Sequence, residues 1–433
     1  MRKSPFWWIL IGCMILLDIY CFQALKVVTQ NANTRWRLII HGGYWLISAT
    51  AIIALLVLPY LHFEHQARLA KSTIFALIAG LFFAKLVASL FFLIDDIRRG
   101  VQWVAAKVAE KGPENEDLRE SERISRSAFL TWAGMIVGGG LFGSLIYGFG
   151  NKYRYQLKRF RLAYDNLPAS FKGLKVVHIS DIHSGSFTDK VAVKKGIDKI
   201  LQQNPDLILF TGDLVNNTAD EMEDYKDLFR ELKAPMGVYS ILGNHDYGDY
   251  VNWPDRDEEH ERKEKEVNSH LWTPLQNKNL DKLKKTHADM GWRLLLDEHV
   301  LLKRGEESIA LLGVQNWSSK ARFPKYGNMK SAYQGAEQQP FKILMSHDPS
   351  HWDAEILTKY PDIDLMLAGH THGFQFGVEI PGLRWSPVQY VYRQWAGLYE
   401  KEKQRLYVNR GYGFIGYPGR VGILPEITLI ELV

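Results

Sequence analysis

The sequence predicts an α/β domain with a sheet covered on both faces, preceded by an all-α region of four membrane-spanning helices. Three observations predict it. Four long apolar runs fill the first 150 of 433 residues. Beyond residue 160 the pattern changes to short β-rich runs that alternate with helical stretches. Each of these runs ends in a polar cluster, and in α/β sheets ligands bind beyond the strand ends.

The apolar runs lie at roughly 6–25, 38–58, 73–94 and 128–149, each near the about 20 residues a helix needs to cross a bilayer. Charges gather between the runs rather than along one face of each, which argues against four buried globular helices. A signal peptide would account only for the first. Asp18, His41 and Lys85 sit inside the runs, where ionisable groups are costly and usually face the bundle interior. Asp18 and Lys85 each fall near the middle of a helix and are expected to pair. The fourth run carries Gly134, Gly138, Gly139, Gly140 and Gly143, and small residues four apart allow helices to approach closely. This places a transmembrane region at 1–150 and a soluble domain at 151–433.

The chain is 46% apolar and 23% charged, which excludes wholesale disorder and a pure membrane bundle. Residues 1–161 hold 20 Lys and Arg against 10 Asp and Glu, whereas the remainder holds 33 against 38. That split excludes a single basic nucleic-acid-binding surface spread along the chain. The first and third loops carry ten basic residues, and the N-terminus with the second loop carries four. By the positive-inside bias the ten lie in the cytoplasm and the soluble domain lies outside it, in an integral multi-pass membrane protein. A basic cluster from Lys152 to Arg161 pulls the other way. Both cysteines, Cys13 and Cys21, fall in the first apolar run, so the soluble part has no disulfide framework or zinc ribbon.

In the soluble half, a strand at 175–179 runs into Ser180-Asp181-Ile182-His183, and one at 206–210 into Thr211-Gly212-Asp213. A third, at 237–242, leads to Gly243-Asn244-His245-Asp246. Later strands precede Ser346-His347-Asp348 and Gly369-His370-Thr371-His372. Residues two apart on an extended strand end point the same way, so Asp181 with His183, and His370 with His372, each form a pair. With Asp213, Asn244 and His347 they make seven oxygen and nitrogen ligands. That is too many for one tetrahedral zinc and suits two metals that share a carboxylate. Any one of these clusters alone reads as a surface loop or a satisfied core pair; five in order, each after a strand, reverse that reading.

This set of motifs resembles the calcineurin-like metallophosphoesterases, and within them the membrane-associated bacterial branch. The resemblance covers about 160–433, including the tail from Asn409-Arg410-Gly411-Tyr412-Gly413 to Pro425-Glu426-Ile427-Thr428. It implies a four-layer αββα sandwich with two divalent metal ions, manganese, iron or zinc. Asp181, His183, Asp213 and His372 would hold the first, and Asp213, Asn244, His347 and His370 the second. It further implies a metal-bridging hydroxide that attacks phosphorus, with His245, oriented by Asp246, stabilising the transition state or protonating the leaving oxygen. Attachment to the bilayer points to a phosphorylated, lipid-linked substrate and to membrane lipids as partners, with no nucleic acid. Two alternatives stay open. One is a UDP-diacylglucosamine-type lipid pyrophosphatase with a cytoplasmic active site; the other is a non-catalytic membrane scaffold or sensor.

The sequence departs from the branch at Gly373-Phe374-Gln375, where Gly-Gly-Gln is usual; Phe374 either narrows the pocket or stacks on a base, sugar or acyl chain, or, as the preferred reading, packs. A charged segment at about 251–285 reads as an insertion that caps the site or lies beside it. Arg384, Arg410 and Arg420 are candidates for phosphate contact, each set against the simpler reading of a surface ion pair.

Overall fold

The computed structural model describes residues 5–58, 68–108, 116–257 and 271–433. The chain divides into two compact units, Met1–Tyr147 and Gly148–Val433.

The first unit holds helices α1 (Pro5–Val28), α2 (Thr34–Val57), α3 (Arg68–Val108) and α4 (Glu116–Gly148). Each contains a stretch long and apolar enough to cross a membrane. Asn33 caps α2 by accepting the Trp36 N–H at 3.0 Å. The expected pair forms: Lys85 reaches Asp18, whose carboxylate also accepts Ser48 Oγ at 3.0 Å and Tyr44 Oη at 3.2 Å. His41 is joined to Thr29 Oγ1 at 2.9 Å. The glycines divide into two sets. A Cβ on Gly134 or Gly138 would strike the carbonyls of Ala88 and Ala84 on α3, whereas Gly139, Gly140 and Gly143 face nothing within 4 Å. Helices α3 and α4 outrun their apolar stretches. At 41 residues α3 is about 60 Å long, so part of the expected third loop is helix, and Arg98 lies there, paired with Asp95 at 2.9 Å.

The second unit contains β1 (Gln156–Leu162), β2 (Leu174–Ile179), β3 (Leu207–Phe210), β4 (Val238–Ser240), β5 (Arg293–Leu294), β6 (Glu298–Arg304) and β7 (Glu307–Gly313). There follow β8 (Lys342–Met345), β9 (Leu365–Ala368), β10 (Val378–Ile380), β11 (Leu383–Trp385), β12 (Gly397–Lys401), β13 (Gln404–Val408) and β14 (Glu426–Leu432). They form two six-stranded sheets, β1-β14-β2-β3-β4-β5 and β12-β13-β9-β8-β7-β6, with β10 and β11 as a separate hairpin. Strands β2 to β5 run parallel, as do β7, β8, β9 and β13.

Alternation along the strands builds the layers. Val176, Leu207, Leu209, Ile343, Met345, Leu365 and Leu367 fill the core between the sheets. The intervening residues Val177, Ile208 and Phe210 face outward, against Val193 and Ile197 of helix Lys190–Leu201 and Leu280 and Leu283 of helix Pro274–Asp289. On the other outer face Leu344, Met366 and Leu406 meet Met329, Trp352 and Ile356. The result is the four-layer αββα sandwich. Fully burying each such side chain is worth about 1.5–3 kcal/mol. Of the charged segment at 251–285, residues 258–270 lie outside the described residues, and Pro274–Asp289 is a core-packed helix capped by Thr273.

Candidate metal centre

The strand ends bring all the sequence-predicted residues together. Asp181 and His183 follow β2, Asp213 follows β3, and Asn244, His245 and Asp246 follow β4. His347 follows β8, and His370 and His372 follow β9, so both sheets contribute. Among the described residues, ten non-glycine residues have positive φ, and five of them are Asp181, His183, Asp213, His370 and His372. Such backbone costs about 1–3 kcal/mol per residue and persists where the surroundings dictate it. Two glycines make room for the carboxylates. A Cβ on Gly369 would strike the Asp181 carboxylate, and one on Gly243 would strike that of Asp213.

The side chains form two groups that meet at Asp213. In the first, His183 Nε2 lies 3.0 Å from His372 Nε2, which is 3.1 Å from Asp181 Oδ1. In the second, His347 Nε2 is 3.3 Å from His370 Nδ1, which lies 2.8 Å from Asn244 Oδ1. Asp213 Oδ2 is 3.5 Å from His183 Nε2 and 3.2 Å from His347 Nε2. Ligand atoms of Asp181, His183 and His372 all fall within 4.8 Å of one another, as do those of Asp181, Asp213 and His347.

The electrostatics fit a cation site. Asp181 and Asp213 are buried, and among the described residues their ion-pair partners are histidines alone. Burial alone would raise the Asp213 carboxyl, but the imidazoles of His347 and His245 hold it well below the usual range. Burial would lower His347, yet Asp213 and Asp181 raise it to about 10. Buried carboxylates among inward-turned imidazole nitrogens form the donor set of a hard-to-borderline divalent metal.

Neighbouring groups fix the ligand orientations. His347 Nδ1–H donates to the Thr211 carbonyl at 2.7 Å, which leaves Nε2 as the inward atom. Asn244 Nδ2 donates to Tyr250 Oη at 2.8 Å, turning Oδ1 inward. Tyr392 Oη lies 2.9 Å from His370 Nε2 and donates to Asp348 Oδ2 at 3.1 Å, so His370 presents Nδ1. Sequence reasoning missed Tyr392 and Tyr250. It quoted Asp348 in its motif without giving it a role.

Four readings change. The His245 ring is held by the Asn216 carbonyl, which accepts its Nδ1–H at 2.7 Å. Asp246 instead accepts backbone N–H groups of Asp213, Leu214 and Gly243 at 2.9, 2.8 and 2.8 Å, so it fixes the Asp213 turn rather than the ring. Burial and the Asp213 charge push Asp246 up to about 7. Phe374 does not pack; it is 60% exposed, on backbone with φ 60°. Neither Arg410 nor Arg420 is a phosphate arm or a surface ion pair: both are buried, Arg410 against Glu426 and Glu379, and Arg420 on the carbonyls of Arg410 and Gly411. Arg384 lies over the Trp395 ring and donates to the Ala396 carbonyl at 2.6 Å.

Sandwich and site together define a metallophosphoesterase. Residues 174–374 match the family described as "Calcineurin-like phosphoesterase", and residues 1–151 match "Probable Calcineurin-like phosphoesterase, transmembrane domain". The chain belongs to the calcineurin-like phosphoesterases that carry a four-helix transmembrane domain. It is similar to the "Transmembrane protein with metallophosphoesterase domain" of Danio rerio, 28% identical over 62% of this chain and 55% of that one. The match thus spans about half the length of that relative. It is also 28% identical to the "Uncharacterized metallophosphoesterase YkuE" of Bacillus subtilis, over 61% of this chain and 81% of that one. The "UDP-2,3-diacylglucosamine pyrophosphatase LpxG" of Chlamydia muridarum is 27% identical over 57% of this chain and 79% of that one.

Proposed function

We propose that the protein is a membrane-anchored phosphohydrolase that holds two divalent metal ions and cleaves phosphoester or pyrophosphate bonds of a lipid-linked substrate. The observation that carries this reading is the Asp213 carboxylate, one oxygen of which lies within 3.5 Å of a histidine from each ligand group. Asp181, His183, Asp213 and His372 would hold one ion, and Asp213, Asn244, His347 and His370 the other. Such a pair supplies the charge that activates water and stabilises phosphoryl oxygens.

The chain's own residues do the positioning. Because Nδ1 of His245 is spent on the Asn216 carbonyl, Nε2 is the atom left to bind a phosphoryl oxygen or deliver a proton to the leaving group. Asp246 holds the turn that carries Asp213, and Tyr392 with Asp348 holds His370. The named activity of the chlamydial relative supports pyrophosphate as one substrate class. The excess of basic residues in the first and third loops supports an extracytoplasmic catalytic domain.

The test uses the purified full chain, stripped of metal and reloaded singly with manganese, iron or zinc. Aryl phosphate monoester, aryl phosphate diester and a lipid-linked pyrophosphate are assayed side by side, with Asp213→Ala as control. Metal-dependent hydrolysis of one class that Asp213→Ala abolishes is the expected result. Two metals bound with no hydrolysis of any class would overturn the enzyme reading in favour of a scaffold.

A further inference from the structure

The hairpin of β10 and β11 is built inside out for a water-soluble surface. Its register pairs Val378 with Trp385, Glu379 with Arg384, and Ile380 with Leu383. Residues that pair, and residues two apart, share a face. Val378, Ile380, Leu383 and Trp385 therefore form one face, and Glu379 and Arg384 the other. On the charged face Glu379 is tied to the domain by Arg410 at 2.7 Å, and Arg384, although exposed, reaches back to donate to the Ala396 carbonyl. The apolar face is turned out, with Ile380 57% and Leu383 52% exposed. The turn Pro387–Tyr390 that follows adds Tyr390, 77% exposed, and the exposed Val391. Only three of the residues from 374 to 395 are charged, and two of those are Glu379 and Arg384.

The main chain says what covers this face. The fourth apolar stretch, Ala128–Asn151, ends on residues that belong to the catalytic unit. The Gly148 carbonyl accepts the Arg420 N–H at 2.9 Å, and Asn151 Nδ2 donates to the Arg420 carbonyl at 3.2 Å. One residue on, the Val421 carbonyl accepts the Gly377 N–H at 2.9 Å, and its N–H donates to the Gln375 carbonyl at 2.8 Å. The root of the hairpin is thus stitched, within three residues, to the point where the chain leaves the apolar stretch. An outward face of aliphatic side chains with Trp and Tyr at its margin is also what the interfacial zone of a bilayer accepts.

We infer that β10, β11 and the Pro387–Tyr390 turn seat in the interfacial layer of the membrane. Through that seat the ends of the segment, His372 and Tyr392, hold the metal centre at head-group depth, where a lipid-anchored phosphate reaches it without leaving the bilayer. The second half of this inference rests on the phosphohydrolase reading; the first half does not.

The test keeps the full chain. Cys13 and Cys21 are replaced by alanine, and Leu383→Cys or, as a control at the β6–β7 turn, Glu306→Cys carries an environment-sensitive fluorophore. The protein is placed in phosphatidylcholine–phosphatidylglycerol nanodiscs, with or without lipids bearing a nitroxide near the head group. Quenching at position 383 several-fold above that at 306 is expected, and equal quenching overturns the seat. In the unlabelled chain, the double variant Ile380→Asp, Leu383→Asp should raise KM for a lipid-linked pyrophosphate in nanodiscs at least tenfold, with unchanged turnover of a water-soluble aryl phosphate diester. An equal effect on both substrates, or on neither, overturns the delivery role. Fluorescence needs no turnover, so an inactive protein with a quenched hairpin would sink the enzyme reading and leave the seat standing.

Discussion

Replacing Asp213 by alanine removes the carboxylate whose Oδ2 lies 3.5 Å from His183 and 3.2 Å from His347. Activity should disappear and the metal content of both sites should fall, measured by elemental analysis of the purified protein; wild-type metal content would rule out sharing. His245→Ala should behave differently, cutting turnover by about 10²–10⁴-fold with metal retained, as for loss of a general acid. A residue away from the centre sets an acid limit on stability. Burial lowers His287 to about 3, with its Nδ1 against Ser240 Oγ at 3.0 Å. Below its ordinary value of 6.5 the unfolded chain takes up a proton that the folded one refuses. Stability is therefore lost as pH falls from there toward 3, at up to about 1.4 kcal/mol per pH unit. His287→Gln should flatten that slope, read from urea midpoints across the range; an unchanged slope would mean other groups dominate.

At the scale of elements, the metal-site turns were legible because each strand is short, apolar and followed at once by its ligands. The groups that orient those ligands were not. Tyr392 comes 22 residues after Thr371-bracketed His370 in a stretch with no spacing signal, and the Asn216 carbonyl is backbone that any residue would supply. Phe374 was misread because an aromatic beside a ligand usually packs, whereas here positive φ turns it outward. Both ends of α3 and the start of α4 were misplaced because helical hydrogen bonding continues past the point where apolar side chains stop. Packing between those helices gives a paired prediction. Gly138→Leu should lower the melting temperature in detergent, since its side chain would meet Ala84 and Ala88; Gly139→Leu, facing nothing within 4 Å, should leave it unchanged. Equal effects would mean the α3–α4 contact is not the stabilising one.

For the whole molecule the open variable is the side of the membrane. Arg98 is paired with Asp95, but acidic partners contribute little to orientation, so the count of basic residues still favours an external catalytic domain. A cysteine at Glu306 in a background without Cys13 and Cys21 should react with a membrane-impermeant maleimide in intact cells. Reaction only after lysis would place the domain in the cytoplasm, the side that the lipid pyrophosphatase alternative requires.

Strand β14 lies between β1, the first strand after the apolar region, and β2, parallel to one and antiparallel to the other. During synthesis β1 emerges early and has no neighbour in its sheet until residues 426–432 leave the ribosome. The first sheet, and with it three of the five turns that carry the ligands, closes only after residues 426–432 have emerged. A chain that stops before β14 keeps its membrane helices but leaves β1 and β2 with open edges, a form that quality-control proteases can tell from the closed sheet.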